Sequence, residues 1–597
     1  MSKTKLELTW IGKDQRPKLE PRILLEDPSK SYHADHKVSD NDLFDNKLIF
    51  GDNLLALKAL EQDYAGKVKC VYIDPPFNTG EAFEYYDDGL EHSIWLNMMY
   101  DRIRSISKLL SEDGTLFVHI DDNELAYITV MLDEVFGRSN RAYISTFKQS
   151  SVSGPKSINP GLVSTTSFVL IYCKDKNSWR PNKLYSKTDR DSRYSKYVDN
   201  RNEDPSKWVL VPLMDAFSRY KGIEKNALKS KLGMNFEAEI EKFVLSAPEC
   251  VVRTARVADK DVAEIARNAL AMSRDNKNKI YKADRGASGE IYFLNGEQLI
   301  FYSSKTKSID GEVVTAQALS TLWDDLLSNN LHKEGGVRFP KGKKPEGLIK
   351  RVIEMSTNEG DLVLDSFAGS GTTAAVAHKM KRKWITIELG EHCDSHILPR
   401  LKGVIDGSDQ DGISKAVNWQ GGGGFRYYKL APSLLKKDQW DNWIINKEYN
   451  PEMLAEAVCK LENFTYAPSD ACWWQHGHST ESDFIYATTQ RLSRDKLRLL
   501  SEEVGENTLL VMCGAFEGKD GDFPNLTLKK LPKVILNKCE WDHDDYSLNV
   551  ANLPSAISSD TVLDSEPNAD QSATNQQAKS QSKNQPEKAQ PEQDDLF

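Results

Sequence analysis

The residues best placed to do chemistry are Asp74-Pro75-Pro76-Phe77, where the apolar run Cys70-Val-Tyr-Ile73 stops against two prolines. The run reads as a buried parallel strand. Consecutive prolines cannot continue a ladder, so Asp74 belongs at the strand's carboxyl end. In an open α/β sheet that edge is where ligands bind. A carboxylate beside the Pro75 carbonyl offers two hydrogen-bond acceptors, which suit the exocyclic amine of a nucleobase. Such an amine is a poor nucleophile because its lone pair is delocalised into the ring. Gripping its N–H groups pulls the nitrogen towards tetrahedral geometry and readies it for attack on a methyl donor. Phe77 would stack on the base, which must leave the duplex to be reached. A Pro-rich turn with a capping Asp would carry the same four letters, so the tetrapeptide needs a second motif.

That motif lies far downstream. Asp361-Leu-Val-Leu-Asp365 reads as a buried strand, followed by Ser366-Phe-Ala-Gly-Ser-Gly-Thr-Thr373, an Ala-rich helix to Met380 and the strand Trp384-Ile-Thr-Ile-Glu388. Strand, Gly loop, helix and a strand ending in an acid form the nucleoside-binding arrangement. The glycines permit close backbone approach, and the acid about 20 residues on bonds ribose hydroxyls. No Lys-Ser/Thr follows the second glycine, which disfavours a phosphate-cradling Walker loop. Nearer the first motif, Gly51-Asp52-Asn53 ends a strand and opens a helix predicted from Asn53 to about Leu60. Asp52 and Asn53 there serve either to touch the adenosine end of a cofactor or to cap the helix.

The elements around these motifs alternate. Periodicity predicts helices over residues 94–110 and 125–136 and strands over 115–120, 143–147 and 168–172, and a loop from Phe339 runs into a helix ending near Ile353. This alternation predicts a doubly wound α/β sheet. The Ser/Gly/Pro-rich residues 149–160 read either as a loop that closes over a base or as a surface connection. Across residues 176 to about 320 the alternation fades. Residues 176–334 hold 27 Lys and Arg against 23 Asp and Glu, in a chain whose net charge is −11, so the acidity lies elsewhere. Trp179, Arg180, Tyr185, Arg190, Arg193, Lys196, Arg274, Lys277, Lys279 and Lys282 are the candidates there for holding double-stranded DNA, because cations grip phosphate and Arg reads base edges.

A length of 597 residues predicts about three or four domains. Hydrophobic content of 39%, a mean hydropathy of −0.55 and the lack of a long uncharged apolar run exclude a membrane span. The polar Met1-Ser-Lys-Thr-Lys start has no signal-peptide core, so the cytoplasm is expected. Eight cysteines without a Cys-x-x-Cys pair fit a reducing compartment, and Cys472, His476 and His478 lack a fourth ligand, so no metal is expected. Residues 431–553 predict a small α/β domain, with a helix over 451–461 and strands over 508–512 and 533–536, for dimerisation or docking a partner subunit. Residues 554–597 are rich in Ser, Gln, Asn, Lys, Pro and Asp and predict a disordered tail. Its ending, Gln593-Asp-Asp-Leu596-Phe597, is similar to short peptides that dock on the bacterial replication sliding clamp, with Gln593, Leu596 and Phe597 as anchors.

Asp-Pro-Pro-Phe resembles the catalytic motif of the DNA amino-methyltransferases, and Phe367-Ala-Gly369-Ser-Gly371 resembles the S-adenosylmethionine loop of methyltransferases. Catalytic motif first, cofactor loop second and a locally basic insert between them is the order of the β group. Asp74-Pro-Pro-Phe-Asn-Thr-Gly80, Lys343-Lys-Pro-Glu-Gly347 and Gly421-Gly-Gly-Gly-Phe-Arg-Tyr-Tyr428 look more narrowly like the modification subunit of type III restriction–modification systems. The resemblance implies a Rossmann-like methyltransferase core in two halves, a catalytic half at 47–175 and a cofactor-binding half at 326–430. A target-recognition domain at 176–325 divides them, and an N-terminal arm at 1–46 precedes them. It implies methylation of adenine N6 in a flipped base, S-adenosylmethionine as cofactor, a homodimer and a separate helicase–nuclease subunit. Asp74, Pro75, Pro76 and Phe77 would be catalytic, with Phe in place of the commoner Tyr, which keeps the stacking. Asp365 would meet the cofactor's ammonium; Phe367, Gly369, Gly371, Thr372 and Glu388 would also bind the cofactor, with Lys344 and Pro345 at its methionine end. Cytosine-N4 methylation, where Ser usually opens the motif, and a catalytically silent DNA-specificity module are the alternatives. C5-cytosine chemistry would need a cysteine where Asp74 stands.

Overall fold

A computed structural model describes residues 7–76, 88–152, 161–326, 331–339, 342–519 and 521–547. Phe77, most of the Ser/Gly/Pro-rich loop and the clamp-like ending lie outside the described residues. The central sheet has eleven strands: β1 (Leu24–Glu26), β2 (Tyr32–His33), β3 (Asn46–Phe50), β4 (Val68–Ile73), β5 (Leu110–Ile120), β6 (Arg141–Lys148), β7 (Thr166–Cys173), β8 (Leu322–Trp323), β9 (Leu362–Asp365), β10 (Lys383–Glu388) and β11 (Gly424–Leu430). Their spatial order is β1-β11-β3-β10-β9-β4-β5-β7-β6-β8, with β2 also on β11. From β11 to β5 every neighbour is parallel. Strand β7 runs antiparallel to both β5 and β6, and β1 and β2 run antiparallel to β11. The sheet is therefore mixed at its margins and parallel where the motifs sit.

Alternation along each strand sends side chains to two helical layers. Val71, Ile73, Leu116 and Val118 meet α1 (Asn53–Tyr64), α2 (Asp88–Leu109) and α3 (Leu125–Leu132) on one face. Cys70, Tyr72, Phe117 and Val363 meet α4 (Glu346–Ser356), α5 (Thr372–Lys379) and α6 (Leu398–Ile405) on the other. Both faces of β4 are covered, which is why its sequence is an almost unbroken apolar run. Each such buried aliphatic side chain stabilises the fold by about 1.5–3 kcal/mol.

The chain leaves β4 towards β5 but leaves β9 towards β10, so the loops after these adjacent strands part at their carboxyl ends and open a crevice. Helix α1 runs past Leu60 to Tyr64, and α3 stops at Leu132, where a π-turn over Asp133–Gly137 continues it.

The inserted region, predicted only as irregular, contains a six-stranded antiparallel sheet with spatial order Leu210–Pro212, Lys196–Val198, Val251–Arg256, Glu297–Phe301, Glu290–Leu294, Ile280–Asp284. In the C-terminal third, Thr508–Cys513 pairs in parallel with Asp483–Ala487 and with Leu526–Lys530. The strand expected at residues 533–536 is not formed; these residues are in turns. Pro532 has no N–H to extend the ladder beyond Lys530, and Ile535 turns inward to full burial in the module's core. Among the described residues no helix is long and apolar enough to cross a membrane.

Candidate active site

The carboxyl ends of β3, β4, β9 and β10 surround a cavity of about 550 Å³. Asp74, Pro75 and Pro76 line it together with Asp365, Phe367, Gly369, Thr372 and Glu388, so the two distant motifs share one space. Asp52, Asn53 and Lys344 line it too. Gly371 and Pro345 are not among its lining residues.

The loop after β9 needs its glycines. Gly371 sits at φ +74°, where a Cβ would lie 2.9 Å from Ile397 Cγ2, and Gly369 at φ +54° turns its N–H onto Glu388 Oε2 at 2.8 Å. Asp365 Oδ1 accepts the Phe367 N–H at 2.9 Å. Burial pushes the Asp365 carboxyl up to about 7; bonds from Thr373 and the Phe367 amide oppose the rise, and the charges of Asp74 and Glu388 add to it.

Asp74 is held by Lys344, whose Nζ lies 2.6 Å from Oδ2. Burial raises the Asp74 pKa and the Lys344 ammonium opposes that rise. Its other oxygen, Oδ1, is buried and has no hydrogen-bond partner among the described residues. Trp95 Nε1 donates to the Pro76 carbonyl at 3.0 Å and fixes the loop's backbone against α2. Beneath the floor, Tyr72 Oη lies 2.8 Å from His119 Nδ1, and His119 Nε2 lies 2.7 Å from Ser167 Oγ. Burial drives the His119 pKa well below its ordinary value, so the ring is neutral.

Behind the loop, fully buried Arg400 donates to the Ser370 carbonyl at 3.2 Å, to Thr372 Oγ1 at 2.9 Å and to Glu346 Oε1 at 2.8 Å. Lys379 holds the same Glu346 carboxylate. Glu346 opens α4 two residues after Lys344, so this network ties the partner of Asp74 to the Gly loop. Removing one member of such a buried pair costs about 3–5 kcal/mol.

Residues 68–397 match the DNA methylase family of N6 and N4 methyltransferases. The chain belongs to this DNA methylase family. Over 414 residues it is 37% identical to the "Probable type III restriction-modification enzyme HindVI Mod subunit" of Haemophilus influenzae, covering 66% of this chain and 55% of that protein. It is 26% identical to the EcoP15I Mod subunit of Escherichia coli, covering 75% of each chain. The match thus spans little more than half of the first relative's length. Among solved structures, the cytosine-N4-specific PvuII DNA methyltransferase is 14% identical, covering 65% of this chain and 98% of its own, with a TM-score of 0.29.

In this chain the side chains of Asp52 and Asn53 are committed to scaffolding even though both line the cavity. Asp52 Oδ1 caps α1 through the amides of Leu54 and Leu55 at 2.9 and 3.1 Å, and Oδ2 takes Arg102 Nη2 at 3.2 Å. Asn53 Nδ2 donates to the Ser366 carbonyl at 2.7 Å, and its Oδ1 accepts from Arg102 Nε. Arg102 escaped the sequence reading. Its signal was an arginine inside the apolar stripe of α2, between Met98 and Ile106.

The residues expected to contact DNA lie outside the cavity lining. Arg193 pairs with Asp191 at 2.7 Å, Arg274 with Asp259 at 2.5 Å, Lys282 with Glu290 at 2.8 Å and Arg190 with Glu237 at 3.5 Å. Arg180 donates to the carbonyls of Asn177 and Trp179, and Lys279 lies 5.7 Å from the Tyr281 ring centroid. Lys196 sits on the strand Lys196–Val198, and Lys277 lies just before Ile280–Asp284. Trp179 is not available to a base: it is buried, and its Nε1 donates to Thr115 Oγ1 at 2.9 Å. His476 Nδ1 accepts the Ala487 amide at 3.2 Å, a structural use of that ring.

Proposed function

We propose that the chain is a site-specific DNA methyltransferase that moves a methyl group from S-adenosylmethionine to adenine N6, as the modification subunit of a type III-like restriction–modification system. The observation that carries this reading is the unpartnered, buried Oδ1 of Asp74 in the cavity that Gly369 also lines. A buried acceptor without a donor costs about 1–3 kcal/mol, which an amine N–H would recover.

The cavity fits S-adenosylmethionine on three counts. Its volume of about 550 Å³ lies in the range of small-molecule sites. Four carboxylates, Asp52, Asp74, Asp365 and Glu388, line it against two cations, Arg102 and Lys344, an electrostatic setting for a cation. The Gly369 turn leaves open space where a Cβ would stand, so a ligand can approach the backbone. Asp365, Phe367, Gly369, Thr372 and Glu388 would hold the cofactor, which when bound supplies a methyl group on a sulfonium. Gly371 shapes the turn that presents it.

The chain's own residues do the rest. Asp74 Oδ1 and the Pro75 carbonyl take the two N–H groups of the flipped amine, so that its lone pair points across the cavity. Ionised Asp74 is the stronger acceptor, and Lys344 favours that state against burial. No covalent enzyme intermediate is needed, so placement supplies the catalysis. Aspartate in the place where Ser usually opens the N4-cytosine motif favours adenine.

The Mod subunits among the relatives support the restriction–modification context. In this reading residues 176–325 recognise the target, residues 431–553 serve dimer or partner contacts, a helicase–nuclease subunit is the partner, and residues 593–597 dock on a sliding clamp. Single-molecule sequencing of DNA from cells expressing the chain is expected to show N6-methyladenine at one short motif, absent with Asp74→Ala. N4-methylcytosine would move the assignment to the alternative base, and unmodified DNA would end it.

A further inference from the structure

We propose that residues 541–547, well beyond the family-matched core, form a strap that completes the cofactor cavity and is clamped there through the backbone of Tyr546. The inference rests on reading that cavity as an S-adenosylmethionine site.

Ser547 lines the cavity and, among the described residues, is the only lining residue that lies after residue 397. The strap reaches it on a series of anchors. The Asp542 amide donates to Ser433 Oγ at 2.8 Å, and the buried Arg22 holds the His543 carbonyl at 3.0 Å and Asp544 Oδ1 at 2.6 Å. At Tyr546 both backbone polar groups are taken by one buried ion pair: its N–H donates to Asp52 Oδ2 at 3.0 Å and its carbonyl accepts Arg102 Nη2 at 3.1 Å. Asp52 and Arg102 are each 1% exposed.

The two charges need residue 546. Oδ1 of Asp52 is spent on the α1 cap, so Oδ2 has Arg102 and the strap amide as its donors. Arg102 divides its donors among Asn53 Oδ1, the Met98 carbonyl at 3.0 Å, Asp52 and the strap carbonyl. Withdrawing the strap would strip a hydrogen bond from each of two buried charged groups. The same contacts lead on to the Gly loop, because Asn53 passes from Arg102 to the Ser366 carbonyl. A wall drawn from the C-terminal third and the cofactor loop after β9 are thus held by a single arginine. Because the clamp grips backbone, it depends on the path of the chain and not on the tyrosine ring, whose hydroxyl donates away to Glu540 at 3.0 Å.

The test is calorimetric titration of S-adenosylmethionine into the full-length chain without DNA, alongside melting of the unliganded protein. Tyr546→Pro, which deletes the N–H given to Asp52, and Ser547→Trp, which fills the cavity at the strap, are each expected to weaken binding by about tenfold or more. Ser547→Trp should do so with an unchanged unliganded melting temperature, which keeps the test valid if the proline variant folds poorly. Lys538→Ala, ahead of the strap, serves as control and should bind as wild type. Wild-type affinity in both strap variants overturns the strap. A wild-type chain that binds no S-adenosylmethionine overturns the reading of the cavity itself, a separate result.

Discussion

The carboxyl edge of the central sheet and the inserted region at 176–325 handle charge in opposite ways. At the edge, Asp74, Lys344, Asp365, Glu388, Asp52 and Arg102 are mostly buried and share partners, so each position constrains the others. In the insert, Arg193, Arg274 and Lys282 each carry a neighbouring acid at the surface. Exposed pairs of that kind are worth about 0–1 kcal/mol, whereas charges withdrawn from water interact several times more strongly. Charge at the edge is therefore concentrated in a few residues that cannot be moved, and under the proposed function target recognition by the insert would be spread over many weak contacts that can be rewritten.

The strongest way to break the comparison is Asp74→Ala. It should reduce methylation about a hundredfold or more, as loss of a key polar group in a preorganised site does. Next comes Gly371→Ala, which places a side chain at φ +74° against Ile397. It should cost about 1–2 kcal/mol from the left-handed backbone alone and more from the contact, read by melting temperature and by cofactor affinity.

A subtler test uses pH. Asp365 titrates at about 7 in the folded chain, above the ordinary aspartate value of 3.8, so the folded state binds that proton more tightly than the unfolded state. The stability this contributes to the unliganded protein is full below the unfolded value and lost as pH rises through about 7. Affinity for a cationic cofactor should move the opposite way, strengthening across the same range as the carboxylate ionises. Asp365→Asn should flatten both slopes.

The smallest effects belong to the insert. Lys277→Ala should weaken DNA binding evenly across sequences and reduce the salt slope by about one. Arg274→Ala should change binding less, because Asp259 already neutralises it. A large, sequence-specific loss from Arg274→Ala would show that the insert, too, holds a concentrated site.

What could be read from the sequence follows the same division. β4, β9 and β10 were legible because parallel strands buried on both faces leave apolar runs, and each ends at a residue type with a chemical use. That Asp74 and Gly369 would line one cavity followed from the rule that ligands gather at the carboxyl ends of such strands. Trp179 was misjudged because an aromatic beside an arginine looks alike whether it faces solvent or donates to Thr115. Residues 533–536 have the composition of a strand, but strand pairing is decided by neighbours, and Leu526–Lys530 had already taken the edge beside Thr508–Cys513. Arg102 left a signal in the apolar stripe of its helix, but its link to Tyr546 left none. Their partnership joins positions 444 apart, and no local pattern announces it.

The pairing of β3 with β10 and β11, and of β1 and β2 with β11, has a consequence for synthesis. Strands β1 and β2 find their neighbour only once β11 has been translated, and β3 waits for β10 and then β11, so the segments ahead of them must wait with a sheet edge open. Chaperone occupancy on the nascent chain should accordingly persist until β11 emerges and then fall, which makes the completion of the core a late, single event in the life of each molecule.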